Sequence, residues 1–211
     1  SGLARVSRFS PQRQIQSLQV EMISKASARQ RRGRCGRVRE GICVKLYGEE
    51  TYEQTSEFTD PEIRRSALSG VILRMLNLGL GDVRDFPFID PPSPKAIQEG
   101  WKTLEEVGAV SGNSKGAQIL TEVGQRLGRL PLDPRLGKML IEAESRGVVH
   151  EMLIIVSGLS VMDPRERPQE KKDAADQAQQ KFLDQQSDFG VFLNLWKAIG
   201  EFRKEKGGFA S

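Results

Sequence analysis

The sequence predicts a mostly α-helical protein with a small β part near its start, and three observations predict it. Period-2 alternation of apolar residues is confined to the opening stretch, in Leu18, Val20 and Met22 and again in Ile42, Val44 and Leu46. From Asp60 onward the apolar residues recur instead at helical spacing. Proline-rich breaks at Asp90-Pro91-Pro92-Ser93-Pro94 and Leu130-Pro131-Leu132-Asp133-Pro134 then cut that region into separate helices.

In chain order, Leu3 to Phe9 is a first strand and the run through Met22 a second. Ser10-Pro11-Gln12-Arg13 is the turn between them, which makes a hairpin over about residues 3–23. Ser27 and Gln30 have the spacing of a capping box and predict a short helix that Gly33 and Gly36 end. Ile42, Val44 and Leu46 predict a further strand. Asp60 as N-cap and Pro61 as first helical residue open a helix whose apolar face (Ile63, Ala67, Leu68, Val71, Ile72, Met75, Leu76) stops near Gly79. Ser93 caps a second helix carrying Ile97, Trp101 and Leu104. After a Gly/Ser/Asn-containing connection, a third begins near Glu122. Helix, helix, extended loop, helix suits a winged helix and a generic helical bundle about equally. Leu136, Met139 and Leu140, then 152–159, then Phe182, Phe189, Leu193 and Trp196 continue at helical spacing, and these Met and aromatic positions read as core. Residues 165–180 form a polar segment, either an exposed helix or a loop.

Composition narrows the function classes. A chain of 211 residues with 37% hydrophobic and 28% charged residues is an ordinary globular protein of one or two compact units. No apolar run approaches the roughly 18 residues needed to cross a bilayer. Cys35 and Cys43 make no disulfide framework and read as free thiols of a reducing compartment. With His150 the only histidine, a zinc site is disfavoured, and His150 itself reads as a helix-surface or satisfied core residue.

Charge is badly mixed. Residues 1–45 hold eleven Lys/Arg against Glu21 and Glu40, a local +9 in a chain of net +4. Such a block suggests a surface that handles phosphate, in a nucleotide, a nucleic acid or both. Its densest part is Gln30-Arg31-Arg32-Gly33-Arg34-Cys35-Gly36-Arg37, four arginines and two glycines. Glycines keep the backbone open for close approach, and guanidinium forks match phosphate oxygens.

This octet resembles the Gln-Arg-x-Gly-Arg-x-Gly-Arg signature of helicase motif VI, and Ile23-Ser24-Lys25-Ala26-Ser27-Ala28 before it resembles the form that DEAH-box proteins take. Pro61-Glu62-Ile63-Arg64, Phe86 and Phe88, Asp90-Pro91-Pro92, Gly108-Ala109, Leu120-Thr121 and Leu130-Pro131-Leu132-Asp133-Pro134 resemble the helicase-associated region of the same family. Phe88-Ile89-Asp90-Pro91-Pro92 and Ser187-Asp188-Phe189 with Leu195-Trp196 look closest to its bacterial HrpA-like branch.

The resemblance, which runs from residue 1 to about residue 200, implies a DEAH-box ATP-dependent RNA helicase of 3′-to-5′ polarity in the cytoplasm. It implies that residues 1–55 are the last part of the second RecA-like domain, 56–120 a degenerate winged helix, and 121–211 most of a helical ratchet domain. Arg34 and Arg37 are then the arginine fingers on the γ-phosphate. Gln30 positions the attacking water, and Arg31 helps hold the motif. These four form the nucleotide-facing set, while Arg5, Arg8 and Arg13 on the hairpin lie near RNA phosphates. There is no Gly-x-x-x-x-Gly-Lys-Ser/Thr loop and no DEAH box in the chain. ATP and Mg2+ are therefore expected to be bound mainly by a preceding half, the chain to be a piece of a longer polypeptide, and the piece alone to be inactive. Its partners on this reading are RNA, ATP and the rest of that polypeptide, with no membrane. Residues 1–55 are expected to be the least stable part, because a truncated sheet leaves strand edges unpaired.

Two other classes compete. A non-enzymatic winged-helix module with a basic arm needs its positive charge on the helix around residues 94–107, which has Lys95 and Lys102 against Glu99, Glu105 and Glu106. A protein–protein scaffold leaves residues 24–37 unexplained.

Overall fold

The computed structural model describes residues 2–10, 15–112, 118–161 and 167–205. They fall into two compact units, Ser1–Glu105 and Glu106–Ser211, and helix is the dominant structure.

The first unit opens with β1 (Leu3–Ser10) and β2 (Ile15–Met22), paired antiparallel with Leu3 opposite Met22 and Arg8 opposite Ser17. This is the expected hairpin, although Pro11, Gln12 and Arg13 of its turn lie outside the described residues. Residues directly opposite share a face of the ribbon. One face carries Ala4, Val6, Arg8 and Glu21, all half-buried. The other carries Leu3, Leu18, Val20 and Met22, and there Val20 is 62% exposed. The alternation is therefore correctly legible, but the apolar set stands on the outer side.

The helix α1 (Lys25–Arg32) follows, and here one expectation is corrected. Its N-cap is Ser24, whose Oγ accepts from the Ser27 N–H at 3.2 Å, so Ser27 lies inside the first turn. Gly33 ends it, as expected. A second correction concerns residues 42–46, which are irregular, with Ile42 92% and Leu46 80% exposed. A strand needs a neighbour to take its N–H and C=O groups. Among the described residues, the only strand pairs are β1 with β2 and, in the second unit, β3 (Val110–Gly112) with β4 (Gln118–Leu120).

After α2 (Glu49–Glu53) comes a third correction. The helix expected from Pro61 to Gly79 is two helices, α3 (Glu62–Arg65) and α4 (Ser69–Asn77), because Ser66 is extended at φ −99°, ψ 161°. Leu68, Ile72 and Leu73 are buried and make the core beneath α4. The next helix, α5 (Pro94–Glu106), starts where Ser93 Oγ accepts from the Ala96 N–H at 3.2 Å. At Gly100 a Cβ would stand 2.7 Å from Ile72 Cδ1 and 3.3 Å from the Leu68 carbonyl carbon, so the glycine lets α5 lie this close without displacing the α4 core.

In the second unit β3 and β4 lead into α6 (Glu122–Leu127), α7 (Pro134–Ser145) and α8 (Val149–Ser160). The termini of α6 and α7 are built by local chemistry. Thr121 Oγ1 accepts from the Gly124 N–H, Asp133 Oδ1 accepts from the Arg135 N–H, and Pro134 fills the first helical position. Leu127, Ala143, Ile155 and Val156 are buried where α6, α7 and α8 pack. The polar segment becomes a 3-10 turn, Gln169–Lys171, and an exposed helix, α9 (Lys172–Gln180).

The last helix, α10 (Gly190–Glu205), packs on α8, with Phe192 against Gly158. Val191 is buried there, whereas Trp196 and Phe189 are 56% and 47% exposed, which corrects their reading as core. His150 is exposed on α8. No helix among the described residues is long and apolar enough to cross a membrane.

Candidate functional site

The basic octet begins inside α1 and runs off its end, so the site starts with what holds α1. A helix start leaves its first N–H groups without helical partners. Two of them are taken by the chain at residues 56–57: Lys25 N–H donates to Ser56 O and Ala26 N–H to Glu57 O, both at 2.9 Å. The Ser24 hydroxyl, buried, also meets the Thr59 hydroxyl at 3.1 Å. This third contact favours Ser24 over Ser27 as cap. At the other end Arg29, Arg31 and Arg32 occupy the last turn, where the negative end of the helix dipole favours cations.

Gln30 and Arg31 border a cavity of about 250 Å³ that is also lined by Arg8, Glu21, Ser27 and Asp60. The Arg31 guanidinium donates to the Leu3 carbonyl at 3.4–3.5 Å, tying α1 to the base of β1. Arg34 and Arg37 lie beyond Gly33 in an exposed, irregular stretch. Its turn is closed by Arg34 N–H to Arg31 O and Cys35 N–H to Arg32 O. The stretch then doubles back: a Cβ at Gly41 would sit 2.3 Å from the Cys35 carbonyl oxygen, an approach only glycine allows. Lys45 Nζ stands 3.5 Å above the Tyr52 ring, and Tyr47 packs at 6.4 Å from it, which anchors the far end. Lys25 reaches the same ring at 5.7 Å and pairs with Glu53 at 3.3 Å.

The arginines of this unit divide into two groups. Arg29 is paired with Glu57, Arg64 with Asp90 and Arg84 with Asp82. The Glu57 carboxylate holds the Arg29 guanidinium charged to still higher pH than usual, and the Arg84 pair draws the Asp82 carboxyl below its ordinary range. Arg8 is bidentate on Glu21, with the second bond 2.9 Å long, and reaches Asp60 at 3.2 Å. Its guanidinium is thus occupied by two carboxylates. Among the described residues, Arg34 and Arg37 have no such partner for their side chains, and neither have Arg32 and Arg39 beside them or Arg5 on β1. Arg13 lies outside the described residues.

The structure therefore brings Gln30 and Arg31 together with Arg8 on one cavity and leaves Arg34 and Arg37 presented on the loop. Sequence reasoning missed Asp60 and Arg65 as partners of the hairpin and Tyr52 as the loop's anchor. Their partners are far away in sequence, and no local spacing signals them. Cys35 and Cys43 are both free and exposed.

In sequence the chain is similar to known proteins. Residues 133–191 match the helicase associated domain (HA2), ratchet-like. The chain is 54% identical over 207 residues to an ATP-dependent RNA helicase HrpA homolog of Haemophilus influenzae, covering 97% of this chain and 16% of that protein. It is 50% identical over 204 residues to ATP-dependent RNA helicase HrpA of Escherichia coli, covering 96% and 16%. The mouse probable ATP-dependent RNA helicase DHX34 is 37% identical over 208 residues, covering 99% and 18%. The chain thus spans about one sixth of the length of these relatives. The match runs through motif VI and the ratchet-like region alike, so over nearly its whole length the chain is similar to one segment of HrpA-type RNA helicases.

Proposed function

We propose that this chain supplies the arginine fingers, the RNA-side hairpin and the channel-guarding helices of an ATP-dependent RNA helicase that moves 3′-to-5′. The observation that carries the reading is the contrast among its arginines. Arg34 and Arg37 meet no carboxylate among the described residues, on a loop whose ends are tied, while Arg8, Arg29, Arg64 and Arg84 are all paired. Arg32 and Arg39 beside them are equally without a carboxylate among the described residues, and free guanidinium forks gathered on one short loop fit a transferring phosphoryl group, whose negative charge must be met by donors already in place. Arg34 and Arg37 stabilise that charge. Gln30, on the last turn of α1, orients the attacking water. Arg31 holds the motif to the hairpin base through the Leu3 carbonyl.

ATP brings the reactive phosphoanhydride and Mg2+ neutralises its oxygens. The sequence lacks the Gly-x-x-x-x-Gly-Lys-Ser/Thr loop, so residues elsewhere in the longer protein hold both. The exposed apolar residues Val38, Ile42, Val44 and Leu46 support the same view, since they pack and pair once the rest of a RecA-like domain (ending near residue 55) is beside them. The order α3, α4, α5 and β3–β4 supports a winged helix over residues 56–120, and the helices from α6 onward a ratchet domain over 121–211 that guards the RNA. Arg5, on the exposed face of β1, meets RNA phosphates together with Arg13, without reading sequence.

The test is RNA-stimulated ATP turnover of the full-length protein that carries this segment, compared with Arg34→Ala and Arg37→Ala. Turnover is expected to fall about 100-fold or more with ATP binding largely kept. Unchanged turnover would make the octet a binding surface and return the chain to the non-enzymatic reading.

A further inference from the structure

The hairpin is not held by its own strands alone. Its inward face carries Arg8, which lies back along the ribbon to Glu21 on the partner strand and on to Asp60 Oδ2 at 3.2 Å, just before α3. From the other side Arg65, at the end of α3, donates to the Asp60 carbonyl at 2.9 Å and to the Ser7 carbonyl of β1 at 3.2 Å. Each element therefore sends an arginine into the other, and Asp60 receives both, one on its carboxylate and one on its backbone. The segment that carries Asp60 is the one that also holds α1, through Ser56, Glu57 and Thr59. Arg31, within the basic octet, closes the triangle on Leu3 at the base of β1. Three tethers at Leu3, Ser7 and Arg8 on one strand leave β1 little freedom to tilt against α1. The bonds of Arg8 and Glu21 are to charged groups and half-buried, and such bonds are stronger and more directional than neutral ones.

We infer that Arg8, Asp60 and Arg65 are positioning residues that bracket the hairpin to the segment holding the motif VI helix, so that the loop bearing Arg34 and Arg37 and the hairpin on the RNA move as one body. The inference rests on the helicase reading above and adds to it the link between nucleotide turnover and work on RNA. The bonds of Arg8, Asp60 and Arg65 do not run to Arg34 or Arg37, although Arg8 and Asp60 border the same cavity as Gln30 and Arg31. Loosening the bracket leaves Arg34 and Arg37 on their loop but lets the hairpin swing, so that each hydrolysed nucleotide moves less RNA. Asp60 is the economical point of attack, because Asp60→Asn keeps the carbonyl that Arg65 uses and removes only the charge that Arg8 uses.

The experiment uses the full-length protein and reads base pairs unwound per ATP hydrolysed for wild type, Arg65→Ala, Asp60→Asn and the double variant. A pair of spin labels at positions 20 and 74, with the reactive cysteines replaced, reports the hairpin's orientation in the same proteins. The expected result is RNA-stimulated ATP turnover within about twofold of wild type, unwinding per ATP down about tenfold in Arg65→Ala and less in Asp60→Asn, and a broadened label distance in proportion. Turnover and unwinding falling together, or an unchanged ratio beside a broadened distance, would overturn the inference, and so would an unchanged distance. A wild-type protein with no RNA-stimulated turnover would remove the helicase reading and this coupling with it. That result is recognised before any variant is made.

Discussion

The loop at residues 33–46 and the helices from α6 to α8 are built in opposite ways. Of these helices α6 and α7 start on side-chain caps, and together with α8 they bury Leu127, Ala143 and Val156. The loop buries nothing. Val38 is 98% exposed, and the tethers lie at its ends, on α1 and on Tyr52. Both are diagnostic in sequence, the loop by its basic octet and α7 and α8 by the family match over residues 133–191. A residue kept for contact with something outside its own unit stays unpaired inside it, so diagnostic sequence and self-sufficient structure need not coincide.

Hydrogen exchange on the 211-residue chain tests this contrast at its largest. Amides of residues 33–46, and more generally of residues 1–55, should exchange at least about 100-fold faster than those of α7 and α8. Equal protection would mean that the loop has partners of its own and the contrast is false.

Substitution sharpens the comparison next. Leu127→Ala removes a side chain that is only 2% exposed and is expected to destabilise by about 2–5 kcal/mol in urea unfolding. Ile42→Ala, at 92% exposed, should change stability by less than about 0.5 kcal/mol. A comparable loss at Ile42 would break the distinction.

The smallest effect concerns acid. Glu21 is held below its ordinary value of 4.5, chiefly by the Arg8 hydrogen bonds, with Arg65 adding to the effect. A carboxyl with a depressed folded-state pKa contributes stability that is fully present above its unfolded value and is lost as pH falls through the folded one. The advantage of wild type over Glu21→Gln should therefore hold at about pH 6 and fade below about pH 4, while the unfolding of α7 and α8, which rests on apolar burial, shows no such dependence on this residue. An advantage that survives to low pH would show that packing, not the ion pair, holds the hairpin.

What was legible in the sequence follows the same division. The start of α5 could be read because Ser93 acts on an N–H group three residues away, and Thr121 and Asp133 cap α6 and α7 by the same local chemistry. The start of α1 was misplaced because Ser24, Ser27 and Gln30 share one spacing, and the hydroxyl of Thr59, 35 residues downstream, decides between them. The strand at 42–46 was misread because alternation describes a face without saying whether a neighbour is there to cover it. Trp196 was misread because helical spacing marks a stripe but not how much of it a neighbour covers: Phe192 meets Gly158, while Trp196, one turn on, is 56% exposed. The octet itself was legible from residue types alone. Its surroundings, the bracket of Arg8, Asp60 and Arg65, were not, since those residues come from elements about 50 residues apart.

The two-sided hairpin has a consequence for handling the protein. Its outer face shows Leu3, Leu18, Val20 and Met22 to solvent, beside a loop that shows four more apolar side chains, and exposed apolar patches bring copies together. The same region carries a net charge of +9, which drives copies apart. At about 0.01 M salt that repulsion reaches roughly 30 Å, but at about 0.15 M only about 8 Å. Raising ionic strength toward physiological values should therefore favour clumping, the reverse of what is usual for a basic protein prepared away from nucleic acid.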